Sequence, residues 1–364
     1  MSIYKFPKLI YGLLAGRGPY TGPYSIQLDL TNACNAQCIY CMNYSPLGLE
    51  KEYDKDWQKI RLSLEDIKKL IPEFQKLDVR IVTLCGNGEP FMHPDILEIV
   101  RLIKSSNISC IVRTNGILIN RKIIKELFNV GLDTIDLSLW AGTAKEYQQM
   151  HPQENQDTFH RIRDWLYYLN ELKKNLKRKK PEIRVVNVIG AYNYSSIGEM
   201  LSFAYDMNIN YVVFKYVVTG SFKNEVAKGL ELTESQKKEL LRMWDLSCYK
   251  NRVRTNFYYF RKELKKSFIP KRCYFGWLYT RLKVTGEVNP CCGCLDLEMG
   301  NFKETPLSLI WGQSRYQEFR RETIASLDGE YFRHCLCTKI CPHWYSNSFL
   351  DRYFKIFAPI RNLF

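Results

Sequence analysis

The chain runs Tyr24-Ser25-Ile26-Gln27-Leu28-Asp29-Leu30 and, three residues later, Cys34-Asn35-Ala36-Gln37-Cys38-Ile39-Tyr40-Cys41. The first stretch is an apolar, strand-like run; the second sets three cysteines at C-x3-C-x2-C on a short loop. Three thiolates so spaced can converge on one face of a [4Fe–4S] cube, which leaves its fourth iron without a protein ligand and open to bind a further molecule. The competing reading is structural zinc, because C-x2-C pairs are its usual mark. A loop with no fourth ligand nearby, placed directly after a strand, favours the cluster.

Outward from that loop, strand and helix patterns alternate. Ser63-Leu64-Glu65-Asp66 supplies an N-cap and an acidic first turn for a helix that runs to about Leu77, with Pro72 as a kink. Strands are expected over 79–84, 108–113, 134–139, 184–189 and 211–217, and helices over 94–104, 121–128, 144–150, 158–176 and 196–207. With the strand before the cysteines this makes six strands alternating with helices, an α/β fold with a parallel sheet and right-handed crossovers. Loops after the C-terminal ends of such strands build the site of an α/β barrel. The unusual residues stand there: Gly88 and Glu89 in Cys85-Gly86-Asn87-Gly88-Glu89-Pro90, Asn115 in Thr114-Asn115-Gly116, and Ser138 in Leu137-Ser138-Leu139-Trp140-Ala141-Gly142. Cys85 and Cys110 fall in buried runs and read as small core residues.

Composition sets bounds on the partner. Of 364 residues 46% are hydrophobic, enough for a sizeable core, and Lys and Arg outnumber Asp and Glu 53 to 38 for a formal charge of +15. That surface suits an anionic partner, but the lysines are dispersed apart from 173–180, and no basic stripe interleaved with aromatics marks a nucleic-acid binder. The 13 cysteines are odd in number and grouped, which fits a reducing compartment and cluster or metal ligation better than a disulfide framework. No apolar run approaches the length of a membrane span, and no cleavage site follows the short apolar run near the N-terminus, so the chain reads as cytoplasmic without stable membrane insertion.

A second cysteine group begins at Cys273-x12-Gly286-x4-Cys291, with Cys292 and Cys294 close behind and Cys335, Cys337 and Cys341 beyond a helical stretch. Thr285-Gly286-Glu287 has the form of a hairpin turn. The organisation expected is an irregular arm over 1–23, a barrel over 24–218, bridging helices over 219–270, a cysteine-rich domain over 271–345 and a basic, aromatic tail over 346–364. Thr233-Glu234-Ser235-Gln236 opens a helix in the bridge as a capping box. Cys248, also in the bridge, reads as a buried thiol or, in a second reading, as a hydrogen-atom donor facing the barrel mouth.

The cysteine loop, the Gly88-Glu89-Pro90 segment and the polar residues at successive strand ends together resemble the radical S-adenosylmethionine (radical SAM) enzymes. The resemblance implies a partial (β/α)6 TIM-like barrel in which Cys34, Cys38 and Cys41 hold a [4Fe–4S] cluster. The open iron then chelates SAM, and one electron from the reduced cluster releases a 5′-deoxyadenosyl radical that takes hydrogen from substrate. It further implies that Tyr40 packs near the adenine, that Gly88 and Glu89 meet the SAM amino group, and that Asn115 and Ser138 contact ribose and carboxylate. Asn87 departs from the family's commoner glycine. The second cysteine group resembles the Twitch and truncated SPASM auxiliary domains. One auxiliary [4Fe–4S] cluster is implied, held by Cys273, Cys291 and two of Cys335, Cys337 and Cys341.

The function expected is therefore hydrogen abstraction by a radical SAM oxidoreductase or epimerase, with an electron donor such as flavodoxin or ferredoxin. The substrate expected is small and anionic or carbohydrate-like, because 1–23 offers no room for a leader-binding domain. A maturase of a ribosomally made peptide is the alternative. From another class, a non-catalytic Fe–S or zinc protein that binds nucleic acid has only the charge in its favour.

Overall fold

The computed structural model describes residues 19–47, 55–217, 225–265, 272–294, 296–325 and 330–333, with the single residues 8, 11, 12, 219, 335, 341, 347 and 350. Six strands, β1 Ser25–Asp29, β2 Ile81–Cys85, β3 Ser109–Thr114, β4 Thr134–Ser138, β5 Glu182–Ile189 and β6 Tyr211–Tyr216, pair in parallel, each with the next in sequence. Between them lie α1 Leu64–Lys76, α2 Ile96–Ser105, α3 Arg121–Asn129, α4 Ala144–Met150, α5 Gln156–Asn175 and α6 Ile197–Asp206. The expected (β/α)6 order is the observed one.

Local chemistry places these elements. Ser63 and Asp66 close a reciprocal capping box on α1, and Thr143 and Glu146 do the same on α4. Each helix turns an apolar stripe to the sheet: Ile67, Leu70 and Phe74 from α1, and Ile99, Val100 and Ile103 from α2, are essentially unexposed. They pack in one core with Ile26, Leu28, Val82, Leu84, Val112, Ile135 and Leu137, which are the alternate residues on the outer face of the strands. Burial of each such side chain stabilises the fold by about 1.5–3 kcal/mol, and truncation of Phe74 to alanine costs about 3–5 kcal/mol.

The sheet does not stop at six strands. Its order is β6-β5-β4-β3-β2-β1-β7-β8, where β7 is Tyr279–Leu282 and β8 is Val288–Asn289. β7 pairs in parallel with β1 from Ser25↔Tyr279 to Leu28↔Leu282, and β8 returns antiparallel to β7. The hairpin of the second cysteine group thus continues the barrel sheet past β1, a contact across more than 250 residues that spacing could not reveal.

Two helices of the stretch expected as a bridge, α7 Glu234–Leu246 and α8 Phe257–Leu264, join the barrel's outer layer. The ring of Phe214 on β6 meets Trp244, Phe257 and Phe260 at 6.0, 6.0 and 5.9 Å. Thr233 and Gln236 form the expected capping box on α7. Behind the hairpin, α9 Leu307–Gly312 and α10 Ser314–Ala325 enclose the guanidinium of Arg320, which lies over Trp311 and Tyr316 at 4.2 Å each and donates to the Gly276 and Trp311 carbonyls at 2.8 Å each. No helix among the described residues is long and apolar enough to cross a membrane.

Candidate functional site

The cysteine loop lies across the C-terminal end of the barrel, held there by main-chain bonds. Gly88 N–H donates to Thr31 O at 3.1 Å and Glu89 N–H to Ala33 O at 2.8 Å, so the Gly88-Glu89 segment runs against the loop's entry. This approach needs glycine: a Cβ at position 88 would come within 2.0 Å of Ala33 O and 2.6 Å of Asn32 C. On its far side the loop is tied by Ile39 N–H to Met150 O at 3.0 Å, at the end of α4.

Glu89 is 3% exposed and accepts three bonds, from Thr114 Oγ1 at 2.6 Å, Asn115 N–H at 2.8 Å and Phe91 N–H at 3.1 Å. Burial outweighs those bonds and pushes its carboxyl up to about 7. Asn115 then reaches the loop itself, its Nδ2 donating to Asn35 Oδ1 at 3.0 Å. The predicted Gly88, Glu89 and Asn115 are therefore brought together against the cysteines. Ser138 ends β4 half-buried, paired with Val186 of β5, and its hydroxyl makes no hydrogen bond among the described residues.

Tyr40 is buried under the loop. Its hydroxyl donates to Asn193 Oδ1 at 3.4 Å and accepts from Tyr192 N–H at 2.8 Å. Asn193 also accepts from Gly190 N–H at 3.0 Å and donates to Trp140 O at 3.0 Å and Val188 O at 2.9 Å. Tyr40, Ile39, Trp140, Met150, Val217 and Leu230 form an apolar cluster separate from the main core. Trp140 sits at φ 61°, a left-handed backbone that a bulky residue adopts only when its surroundings impose it. Here Asn187 Oδ1 takes its N–H at 2.9 Å and Asn193 holds its carbonyl. Asn187 and Asn193 escaped the sequence reading; an asparagine two residues from the end of a buried apolar strand was the available signal for the first.

The three thiols of the loop are partly exposed. Burial holds Cys34 up at about 12, with Glu89 and Cys41 adding to the rise, and Cys38 is raised by burial and by both other cysteines. Among the described residues no three His, Cys, Asp or Glu side chains form a closed coordination shell. The donor set nonetheless fits an iron–sulfur cluster, since three mutually interacting thiols share one loop. Around the same mouth Trp140 Nε1, Asn187 Nδ2 and the Tyr147 hydroxyl are buried without hydrogen-bond partners among the described residues, and the Tyr147 hydroxyl feels the Cys38 thiol. Three orphaned polar atoms beside an apolar cluster suit a ligand with both polar and aromatic parts.

In the second group, Asn347 Nδ2 lies 3.6 Å from both Cys273 Sγ and Cys341 Sγ, and its Oδ1 accepts from Tyr274 N–H at 2.8 Å. Cys273 and Cys341 are thereby placed side by side. Cys291 is buried, and its sulfur accepts from Gly293 N–H at 3.4 Å. Cys335 departs from expectation: it is joined to Cys294 as a disulfide, Cα to Cα 4.1 Å, rather than offering a free thiol. Cys337 lies outside the described residues. Cys248 is exposed, which corrects the expectation of a buried thiol. Its neighbour Tyr249 packs on Tyr205 at 5.3 Å, at the C-terminal end of α6, and Arg254 O accepts from Val212 N–H where β6 begins. This is the opposite end of the barrel from the cysteine loop.

Residues 28–204 match the radical SAM superfamily, and residues 273–342 match SPASM, an iron–sulfur cluster-binding domain. The chain is 24% identical over 322 residues to the tungsten-containing aldehyde ferredoxin oxidoreductase cofactor-modifying protein of Pyrococcus furiosus, covering 81% of this chain and 82% of that one. It is 23% identical over 309 residues to the AdoMet-dependent heme synthase of Methanosarcina barkeri, covering 79% and 82%. The crystal structure of Streptococcus suis SuiB bound to S-adenosylmethionine has the same fold, with a TM-score of 0.63 at 16% identity over 91% of this chain and 75% of that one.

Proposed function

The chain belongs to the radical SAM superfamily and carries a SPASM iron–sulfur domain, and on that premise we propose that it oxidises a small anionic or carbohydrate-like substrate by first abstracting a hydrogen atom. A bound, reduced [4Fe–4S] cluster would supply the electron for reductive cleavage of SAM, the source of the hydrogen-abstracting group. The chain's own residues hold and orient. Cys34, Cys38 and Cys41 supply three thiolates from one loop, and the Gly88-Glu89 backbone fixes that loop on the barrel mouth. Glu89, kept in place by Thr114 and Asn115, presents its carboxyl beside the loop for the SAM amino group. Tyr40 and Trp140 offer a hydrophobic seat for the adenine, and Asn115 and Ser138 stand at strand ends where ribose and carboxylate can be met. Cys273, Cys291 and Cys341 are proposed to hold the auxiliary cluster together with Cys337, since Cys335 is joined to Cys294.

The observation that carries the reading is the convergence of the Gly88-Glu89 segment and Asn115 on the three-cysteine loop, whose own Tyr40 is anchored by Tyr192 and Asn193. Oxidation is preferred to epimerisation because Cys248, the thiol considered for returning hydrogen, is exposed at the far end of the barrel. The test is product analysis of anaerobically reconstituted, reduced protein with SAM. Equal amounts of 5′-deoxyadenosine and methionine are expected; intact SAM after prolonged reduction would refute the reading.

A further inference from the structure

The inward faces of the strands carry a layer of charge. Strand register sets Arg113 beside Asp136 and Asp136 beside Arg184, while Asp29 stands beside Cys85 and Gln27 beside Arg281. These residues alternate with the buried apolar ones that face the helices, so their side chains share the barrel interior. Asp136 accepts from Arg184 Nε at 2.6 Å and from Arg113 Nη2 at 3.2 Å, and Asp29 accepts from Arg281 Nε at 2.8 Å. These two carboxylates are thus committed to arginines.

Lys215 adds a further cation. On β6 it follows Tyr211 and Val213 on the inward face, while Val212 and Phe214 are buried outward. It pairs in register with Val188, one residue from the strand's C-terminal end, and so sits close to the mouth. Lys215 has no hydrogen bond or ion pair among the described residues, and as a residue it is exposed. Yet Arg113, Cys292, Asp136 and, least of these, Glu263 of α8 all act on it, and burial with the like charge of Arg113 lowers it from its ordinary value. An accessible side chain with such neighbours on several sides lines an internal space rather than the outer surface. Cys292, just past β8, acts on Lys215, Cys85 and Tyr279, so the auxiliary hairpin closes this space from the opposite side. Arg113, also on the inward face, gives Nη2 to Asp136 at 3.2 Å, and its side chain remains 37% exposed.

We propose that Lys215 and Arg113 form an oxyanion anchor inside the barrel that holds a carboxylate or phosphate group of the substrate below the cysteine loop. The anchor deepens the functional reading above and rests on it for the identity of the reacting partner. Four cations against two committed carboxylates, with Glu263 a weaker influence, leave a local positive excess, and two donors have hydrogens to give. An oxyanion satisfies both at once, and charge-assisted bonds from lysine and arginine are the strong ones.

The test titrates inorganic phosphate and, separately, succinate into SAM-loaded holoenzyme by calorimetry, with wild type, Lys215→Met, Lys215→Arg and the exposed-lysine control Lys68→Met. One site per chain is expected in wild type for at least one of the two anions; the tighter one assigns the source as phosphoryl or carboxyl. Lys215→Met should weaken it at least about tenfold, Lys215→Arg should recover most of the loss, and Lys68→Met should match wild type. Binding to neither anion, or equal binding by Lys215→Met, overturns the anchor. Release of 5′-deoxyadenosine by the wild-type protein is read in the same samples. Its absence would count against the radical SAM chemistry alone, whereas the titration decides the anchor in either case.

Discussion

Asn193 Oδ1 accepts the hydroxyl of Tyr40, 153 residues earlier, at 3.4 Å, and the same side chain holds the Trp140 carbonyl at 3.0 Å. One buried amide therefore fixes both aromatic residues of the mouth relative to the loop after β5. Asn193→Ala leaves the Val188 and Trp140 carbonyls and the Gly190 N–H without a side-chain partner. The expected loss is about 2–4 kcal/mol of stability, together with weaker SAM binding, read by denaturant unfolding and equilibrium dialysis. Unchanged SAM affinity in a folded variant would separate Tyr40 from the cofactor seat.

Gly88→Ala should damage the site more than the fold. The added methyl meets Ala33 O at 2.0 Å, and both partners are backbone, so the cysteine loop must move. The variant should keep the far-ultraviolet circular dichroism of wild type, yet lose SAM binding and part of its loop-bound iron on reconstitution. Wild-type iron and SAM affinity together would show that the loop does not depend on this approach.

His151 gives the stability a pH dependence. It is 1% exposed, stacked on Tyr147 at 4.2 Å, and burial lowers its pKa to about 4 from 6.5. A group with a depressed folded pKa contributes stability above its unfolded pKa and loses it as pH falls through the folded one. The loss should run from about pH 6.5 to 4 and approach about 3 kcal/mol. Denaturant midpoints across that range should fall more steeply for wild type than for His151→Gln. Parallel curves would assign the acid sensitivity to carboxylates instead.

Asn347→Leu removes the amide that lies against both Cys273 and Cys341. Reconstituted protein should then lose auxiliary iron while the N-terminal cluster stays. Unaltered iron content would mean that the two sulfurs are held without it.

Much of this was legible in the chain. The six strands and their helices were visible because each apolar stripe and each cap is local: Ser63 with Asp66 and Thr233 with Gln236 can be read in four residues. Gly88, Glu89 and Asn115 were found by position at strand ends. What stayed hidden was long-range. The pairing of β7 with β1, and the bond from Tyr40 to Asn193, join residues whose neighbours in sequence say nothing of each other. Cys294 looked like a bystander until the structure joined it to Cys335, and Cys248 looked buried because burial is the commoner fate of a free cysteine. Lys215 read as one of many dispersed lysines, since only the strand register turns it inward.

The central claim is that the loop of Cys34, Cys38 and Cys41 carries the SAM-cleaving cluster and the C-terminal cysteines a second, separate one. The most direct measurement compares iron content and 5′-deoxyadenosine release between wild type and the triple variant Cys34→Ala, Cys38→Ala, Cys41→Ala, both reconstituted anaerobically and reduced. Wild type should hold about eight irons and release 5′-deoxyadenosine, and the variant should hold about four and release none. Release by the variant at the wild-type rate would contradict the account.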